Sequence, residues 1–262
     1  FEKIAAAMWV DVAKYALAIA ITIVLAKIFG PICIRSAMAR GGAQHIPRPD
    51  IWSPGAAAEW ATRDLSVLSS FDALTAALAQ RITPRTPGVH GSPYVPAESP
   101  RTSAVLVALH DSVDGPSVVL TRRTAHLSSH KGEMSFPGGR VEEGETLEQA
   151  AMREAHEEVN LDPSLVSTVG RLDALSTVVS RSAIHPVVAV LPHHPALTPH
   201  EHEVERIVHV PLAELASPDT YRREVWVRNG SPFDIHFFEI EGDTVWGATG
   251  RVLHQLLDVL TA

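Results

Sequence analysis

The chain has 262 residues, with 22 Lys and Arg against 30 Asp and Glu, and a formal net charge of -8. A hydrophobic fraction of 45% supports a packed core and excludes wholesale disorder. One cysteine, Cys33, excludes an internal disulfide framework and a cysteine-based zinc site, and the acidity leaves no basic stripe for phosphates, so no nucleic-acid partner is expected.

The charge is unevenly placed. Residues 1–40 carry five basic and two acidic side chains, and residues 101–262 carry 13 and 23. Residues 4–34 are mostly apolar, with Tyr15 to Ala26 unbroken and Lys14 and Lys27 at its margins. A bilayer core takes about 20 apolar residues in a helix, and both lysines can snorkel. Residues 1–40 are therefore read as an apolar helix associated with a membrane, the alternatives being a buried or partner-packed helix or a signal-like segment. If it spans, Lys27, Arg35, Arg40 and Arg48 place the C-terminal part in the cytoplasm.

Residues 41–100, rich in Gly and Pro, read as a linker with a short helical segment, in which Phe71, Leu74, Ala77 and Leu78 mark an amphipathic helix ending near Arg81. Five prolines between Pro84 and Pro100 argue against regular structure there. From residue 101 the pattern changes. Strands are expected at 104–109, 117–121, 166–172, 186–191, 207–210, 224–228 and 235–240, with helices at 146–159 and 246–260. Strands interrupted by a central and a terminal helix suggest an α/β sandwich with a mixed sheet.

The chemistry is concentrated in residues 135–161. Thr146 and Gln149 stand at capping-box spacing, so a helix begins near Leu147. Glu154, Glu157 and Glu158 share one region of its surface, where like charges repel unless water or a cation intervenes. A solvated acidic face is one reading. The other is a site for Mg2+ or Mn2+, the hard cations that oxygen ligands select. The preceding Phe136-Pro-Gly-Gly139 favours the second, since adjacent glycines let the backbone approach a ligand and offer a carbonyl, that of Gly138.

Gly139, Glu145, Arg153-Glu154, Ala155, Glu157-Glu158, Asn160 and Leu161 follow the spacing of the Nudix box, which this segment resembles. Ala155 replaces a larger aliphatic, and Asn160 stands where the pattern has Gly, a position that Asn tolerates if φ is positive. Upstream, Thr121, Arg123, Leu127, His130 and Gly132 resemble the extra motif of coenzyme A pyrophosphatases within that superfamily, with Thr124, Ser128 and Glu133 departing from it. The missing arginine at 128 removes one phosphate contact.

The resemblance covers about residues 101–262 and implies a Nudix-type α/β/α sandwich with a mixed sheet. It implies metal-dependent hydrolysis of the diphosphate of coenzyme A or acyl-CoA to 4'-phosphopantetheine, or its acyl form, and adenosine 3',5'-bisphosphate. Hydrolysis of another nucleoside diphosphate derivative, such as ADP-ribose or a dinucleotide, and a silent binding module are the alternatives. Metal ligands would be Glu154, Glu157, Glu158 and the Gly138 carbonyl, with Arg153 orienting the helix by pairing with Glu145. Arg123, His130, Gly132 and Phe136 would contact substrate, a coenzyme A-like small molecule. Arg122 should point to the opposite face of its strand. Glu203, or alternatively Glu205, could accept the proton. A homodimer is a further partner expectation. His193, His194, His200 and His202, in a Pro-rich loop, could bind a transition metal, but they lack an organising spacing and are read as solvated.

Overall fold

A computed structural model describes residues 41–42, 46–83, 89–90, 101–125, 131–176 and 182–262. The apolar segment 4–34 and His130 lie outside the described residues. Among the described residues, no helix is long and apolar enough to cross a membrane.

The strands in chain order are β1 (Trp52–Pro54), β2 (Val89–His90), β3 (Arg101–His110), β4 (Ser117–Arg123), β5 (Met134–Ser135), β6 (Gly138–Arg140), β7 (Ser167–Arg171), β8 (Ala174–Ser176), β9 (Ser182–Val190), β10 (Val204–Pro211), β11 (Tyr221–Arg228), β12 (Ser231–Ile240) and β13 (Asp243–Val245). The helices are α1 (Phe71–Arg81), α2 (Leu147–Val159), the single turn α3 (Leu212–Leu215) and α4 (Gly247–Thr261).

A mixed sheet runs β10-β4-β3-β9-β8-β2, with β5 on β4, β6 on β3 and β7 on β9. The β3–β9 and β2–β8 pairs are parallel and the others antiparallel. Strand β3 shows why the domain has three layers. Its side chains alternate, so Ala104, Leu106 and Ala108 join Ala150, Ala151 and Ala155 of α2, while Val107 and Leu109 join Leu253, Leu256 and Leu257 of α4. Both faces are covered, which makes β3 almost continuously apolar. The alanines of α2 bring its backbone close to the sheet. This is the expected α/β/α sandwich, to which an antiparallel sheet, β1-β11-β12-β13, is added.

That second sheet corrects the reading of residues 41–100 as a linker. Trp52 to Pro54 pair with Trp226 to Glu224. Trp60 is 1% exposed and its indole N–H donates to the Ala216 carbonyl at 3.1 Å. Leu68, Leu74, Leu78 and Ile82 enter the same apolar cluster as α4. Arg63 bonds both the carbonyl and the carboxylate of Asp258, at 3.0 and 2.7 Å. Glycine- and proline-rich composition hides this segment because its partners are far along the chain. Strand β2 likewise lies within the region between prolines that was expected to lack regular structure.

Candidate functional site

Helix α2 begins as expected. The Thr146 hydroxyl accepts from the Gln149 N–H at 3.2 Å, and the Gln149 side chain accepts from the Thr146 N–H at 2.8 Å. It ends at Asn160, whose φ of 54° is the left-handed conformation that Asn tolerates better than most residues. Between these ends the helix presents Arg153, Glu154, Glu157 and Glu158 toward the strand after the glycine loop.

Gly138 and Gly139 are extended as β6 along β3 rather than forming only a turn. A Cβ on Gly138 would lie 2.4 Å from the Ala104 carbonyl oxygen, and one on Gly139 would lie 2.5 Å from the Glu154 carboxylate. These two glycines let the strand fit between β3 and the acidic helix.

Glu158 is 3% exposed. Its Oε2 accepts from the Gly138 N–H at 3.2 Å, and the Arg123 Nη1 stands 3.7 Å from Oε1. Burial pushes the Glu158 carboxyl up to about 7; the Gly138 N–H and Arg123 oppose the shift, and repulsion from Glu154 and Glu203 adds to it. Glu154 is raised as well, chiefly by burial, against the pull of Arg153 and with repulsion from Glu157 and Glu203. The chain thus sets buried Glu158 and partly buried Glu154 where the charge of the exposed Glu203 reaches both. A cation with oxygen preference fits that donor set. Glu157 is the outermost, 57% exposed, and pairs with Arg153 at 3.2 Å.

Arg153 is the local organiser. It donates to Glu145 at 2.7 and 3.1 Å, to Glu154 at 3.0 Å and to the Arg140 carbonyl at 3.0 Å. These bonds tie the loop after β6 to α2, hold the Glu145 carboxyl below its ordinary range and push the Arg153 guanidinium up. A cavity of 440 Å³ lined by Arg140, Val141, Glu142, Glu143 and Glu154 opens beside them.

The loop after β9 completes the site. The Thr198 N–H donates to the Val159 carbonyl and the His200 N–H to the Glu158 carbonyl, at 3.0 and 2.8 Å. The Thr124 N–H and hydroxyl bond the carbonyls of Glu203 and His202, at 2.9 and 3.0 Å. Glu203 therefore reaches the field of both buried carboxylates. Glu205, the alternative proton acceptor, sits at a bulge in β10 and pairs with Arg122 at 3.3 Å, away from them. Arg122 also approaches Asp243 at 3.3 Å, on the opposite side of β4 from Arg123.

Phe136 requires a correction. It is 3% exposed in the apolar cluster shared with α4, so its ring supports the loop from below and does not face a ligand. Gly132, with φ of 66°, lies where its N–H donates to the Arg123 carbonyl at 3.1 Å and holds the end of β4. The Arg123 Nε is buried without a partner among the described residues, which leaves a donor beside the carboxylates. His194, read as solvated, is exposed, and its ring also lies against those of His110 and His209 at the far end of the sheet. No local spacing announced this group, because its members come from three separate segments.

These features define an α/β/α domain whose central helix carries a buried carboxylate site behind a glycine strand. Residues 100–229 match the model of the NUDIX domain. The chain is 35% identical over 144 residues to an uncharacterized Nudix hydrolase, NudL, of Photorhabdus laumondii, covering 54% of this chain and 75% of that protein. It is 38% identical over 170 residues to Nudix hydrolase 22, chloroplastic, of Arabidopsis thaliana, covering 62% of this chain and 56% of that relative's length. Among solved structures, a Nudix hydrolase of M. smegmatis, RenU, is 23% identical with a TM-score of 0.39, over 44% of this chain and 73% of that one. The chain belongs to the Nudix hydrolase family.

Proposed function

We propose that the chain hydrolyses a nucleoside diphosphate derivative in a divalent-cation-dependent reaction, and that the substrate is coenzyme A or an acyl-CoA, cleaved to 4'-phosphopantetheine or its acyl form and adenosine 3',5'-bisphosphate. The observation that carries the hydrolytic reading is Glu158, a buried carboxylate beside Glu154 and Glu203 with too little compensation from Arg123 and the Gly138 N–H. The coenzyme A assignment rests on Thr121, Arg123 and Gly132 of the upstream motif, with His130 and Leu127.

Glu154, Glu157, Glu158 and the Gly138 carbonyl would hold Mg2+ or Mn2+, which when bound neutralises the diphosphate and lowers the pKa of an attacking water. Arg153 keeps Glu154 in place by joining it to Glu145 and the Arg140 carbonyl. Arg123, partly exposed and 3.7 Å from Glu158, contributes a cation for a phosphoryl oxygen. Glu203, held over the cleft by Thr124, takes the proton of the water in this reading.

A panel of coenzyme A, acetyl-CoA, ADP-ribose and a dinucleoside polyphosphate, assayed with Mg2+ and with Mn2+, tests both levels. Preference for coenzyme A or its acyl form supports the specific assignment. Preference for ADP-ribose removes it but leaves the hydrolase reading, and no turnover of any diphosphate removes both. Replacing Glu203 by Gln should lower kcat with little change in KM.

A further inference from the structure

We propose that His110, His194 and His209 form a site for one transition-metal ion of the zinc type, separate from the carboxylate site on α2. Register brings two of them together. His110 ends β3 opposite Ser117 of β4, and His209 on β10 lies opposite Val119 of β4. Ser117 and Val119 are two residues apart, so both imidazoles project from the same face, across β4. His194, from the loop after β9, closes the group. Its ring centroid lies 4.8 Å from that of His110 and 4.3 Å from that of His209, and His110 to His209 is 4.8 Å. One nitrogen from each lies within 4.8 Å of the others.

The His110 tautomer suits a ligand. The His110 Nδ1 is 2.8 Å from the Asp111 carbonyl oxygen, which can only accept, so Nδ1 carries the hydrogen and Nε2 carries the lone pair. A ring N–H anchored on a backbone carbonyl is the usual outer support of a metal-binding histidine. That Nε2 accepts from the His209 Nδ1–H at 2.7 Å, so ligation through these two atoms moves the His209 hydrogen to its other ring nitrogen. Nitrogens bound to one tetrahedral ion stand about 3.3 Å apart, given bonds of about 2.0–2.1 Å, so binding needs an opening of roughly half an ångström. Burial keeps the His209 imidazole down at about 4 and lowers His110 as well, with the neighbouring rings adding to both shifts. His110 and His209 thus already offer the neutral rings that a metal requires at neutral pH.

Three imidazoles select Zn2+, Co2+, Ni2+ or Cu2+ over Mg2+ and Mn2+. A cavity of 310 Å³, lined by Ser112, Asp114, Ser117, His194 and His209 among others, leaves the fourth position to water. The loop from His194 to Glu203 would then be held at one end by the metal and at the other by the bonds of Thr198 and His200 to α2.

Co2+ is the probe, added to the full chain after chelation. We expect one Co2+ per chain with the intense visible absorption of a tetrahedral site, unchanged in E158Q. Loss of an outer-shell partner alone costs about 10–100-fold in affinity, so H194A should lose at least that much. His194 is exposed, and far-UV circular dichroism checks that H194A folds. Zn2+ should raise the melting temperature of the wild type and of E158Q, and not that of H194A. Absence of the tetrahedral band in the wild type overturns the site and leaves a hydrogen-bonded histidine cluster. A band that survives in H194A and disappears in E158Q assigns the ion to the carboxylates and also overturns it.

Discussion

The two ends of the sheet hold two kinds of donor cluster. Around α2, Glu154, Glu158 and Glu203 are acidic oxygens that repel one another, and burial, with that repulsion added, pushes the Glu158 carboxyl up to about 7. At the other end, His110 and His209 are held toward the uncharged form by burial, and the three rings meet edge-on or tilted. The first cluster is under electrostatic tension without a cation, whereas the second is stable as packing with or without one. A change at the oxygen cluster should therefore show mainly in turnover, and a change at the nitrogen cluster mainly in metal content and thermal stability.

The largest expected effect separates these two outcomes. Glu158→Gln should cost about 1000-fold in kcat, since several kcal/mol of charge stabilisation are lost. In chelator at pH 8, however, it should melt no lower than the wild type, because an unfavourable buried charge has been removed. A melting temperature well below the wild type would show that Glu158 is structural. Gly139→Ala comes next. Its Cβ would fall 2.5 Å from the Glu154 carboxylate and push that side chain aside, which should cost about 10–100-fold in kcat with Mg2+, by the sensitivity of catalysis to misplaced groups. Unchanged turnover would mean that Glu154 need not be where it lies.

A pH series sharpens the contrast further. His110, His185, His209, His236 and His254 are all held below the ordinary histidine value, chiefly by burial, His209 to about 4 and His236 to about 3. Below about 6.5 the unfolded chain binds protons that the folded chain refuses, so these groups make folding less stable as pH falls toward 4.5. Glu158 acts in the other sense, because between 4.5 and about 7 the folded chain is the one that holds the proton. Histidines outnumber it, so the metal-free melting temperature should fall from pH 7 to pH 5, and fall more steeply in E158Q. A rise would show that the carboxylates dominate. The smallest effect is expected at Asn160, where Gly would relieve the left-handed strain but loosen the unfolded chain. Denaturant unfolding of N160G should differ by about 0.5 kcal/mol or less.

The carboxylate site was legible because its parts are contiguous. Thr146, Glu154, Glu158 and Asn160 belong to one helix, and the glycines precede it within a few residues, so local periodicity and capping rules suffice. The resemblance misplaced Phe136, because the order Phe-Pro-Gly-Gly does not say which face of the loop the ring takes. Local spacing could not join His194 to His110 and His209. His110, His194 and His209 meet only through the register of β3, β4 and β10, and pairing register is not written in any short window. Composition misled most over residues 41–100. Proline and glycine suggested a tether, while Trp52, Trp60 and Leu74 find partners more than a hundred residues away.

Trp60 has a practical consequence for where the folding unit begins. The family match starts at residue 100, but a chain trimmed to that point would lose the indole and the first helix, which share the apolar cluster of Leu253, Leu256 and Leu257, and the edge strand paired with β11. Such a trimmed protein would present a greasy surface to solvent and would precipitate or self-associate, so a soluble catalytic fragment should start no later than Ile46.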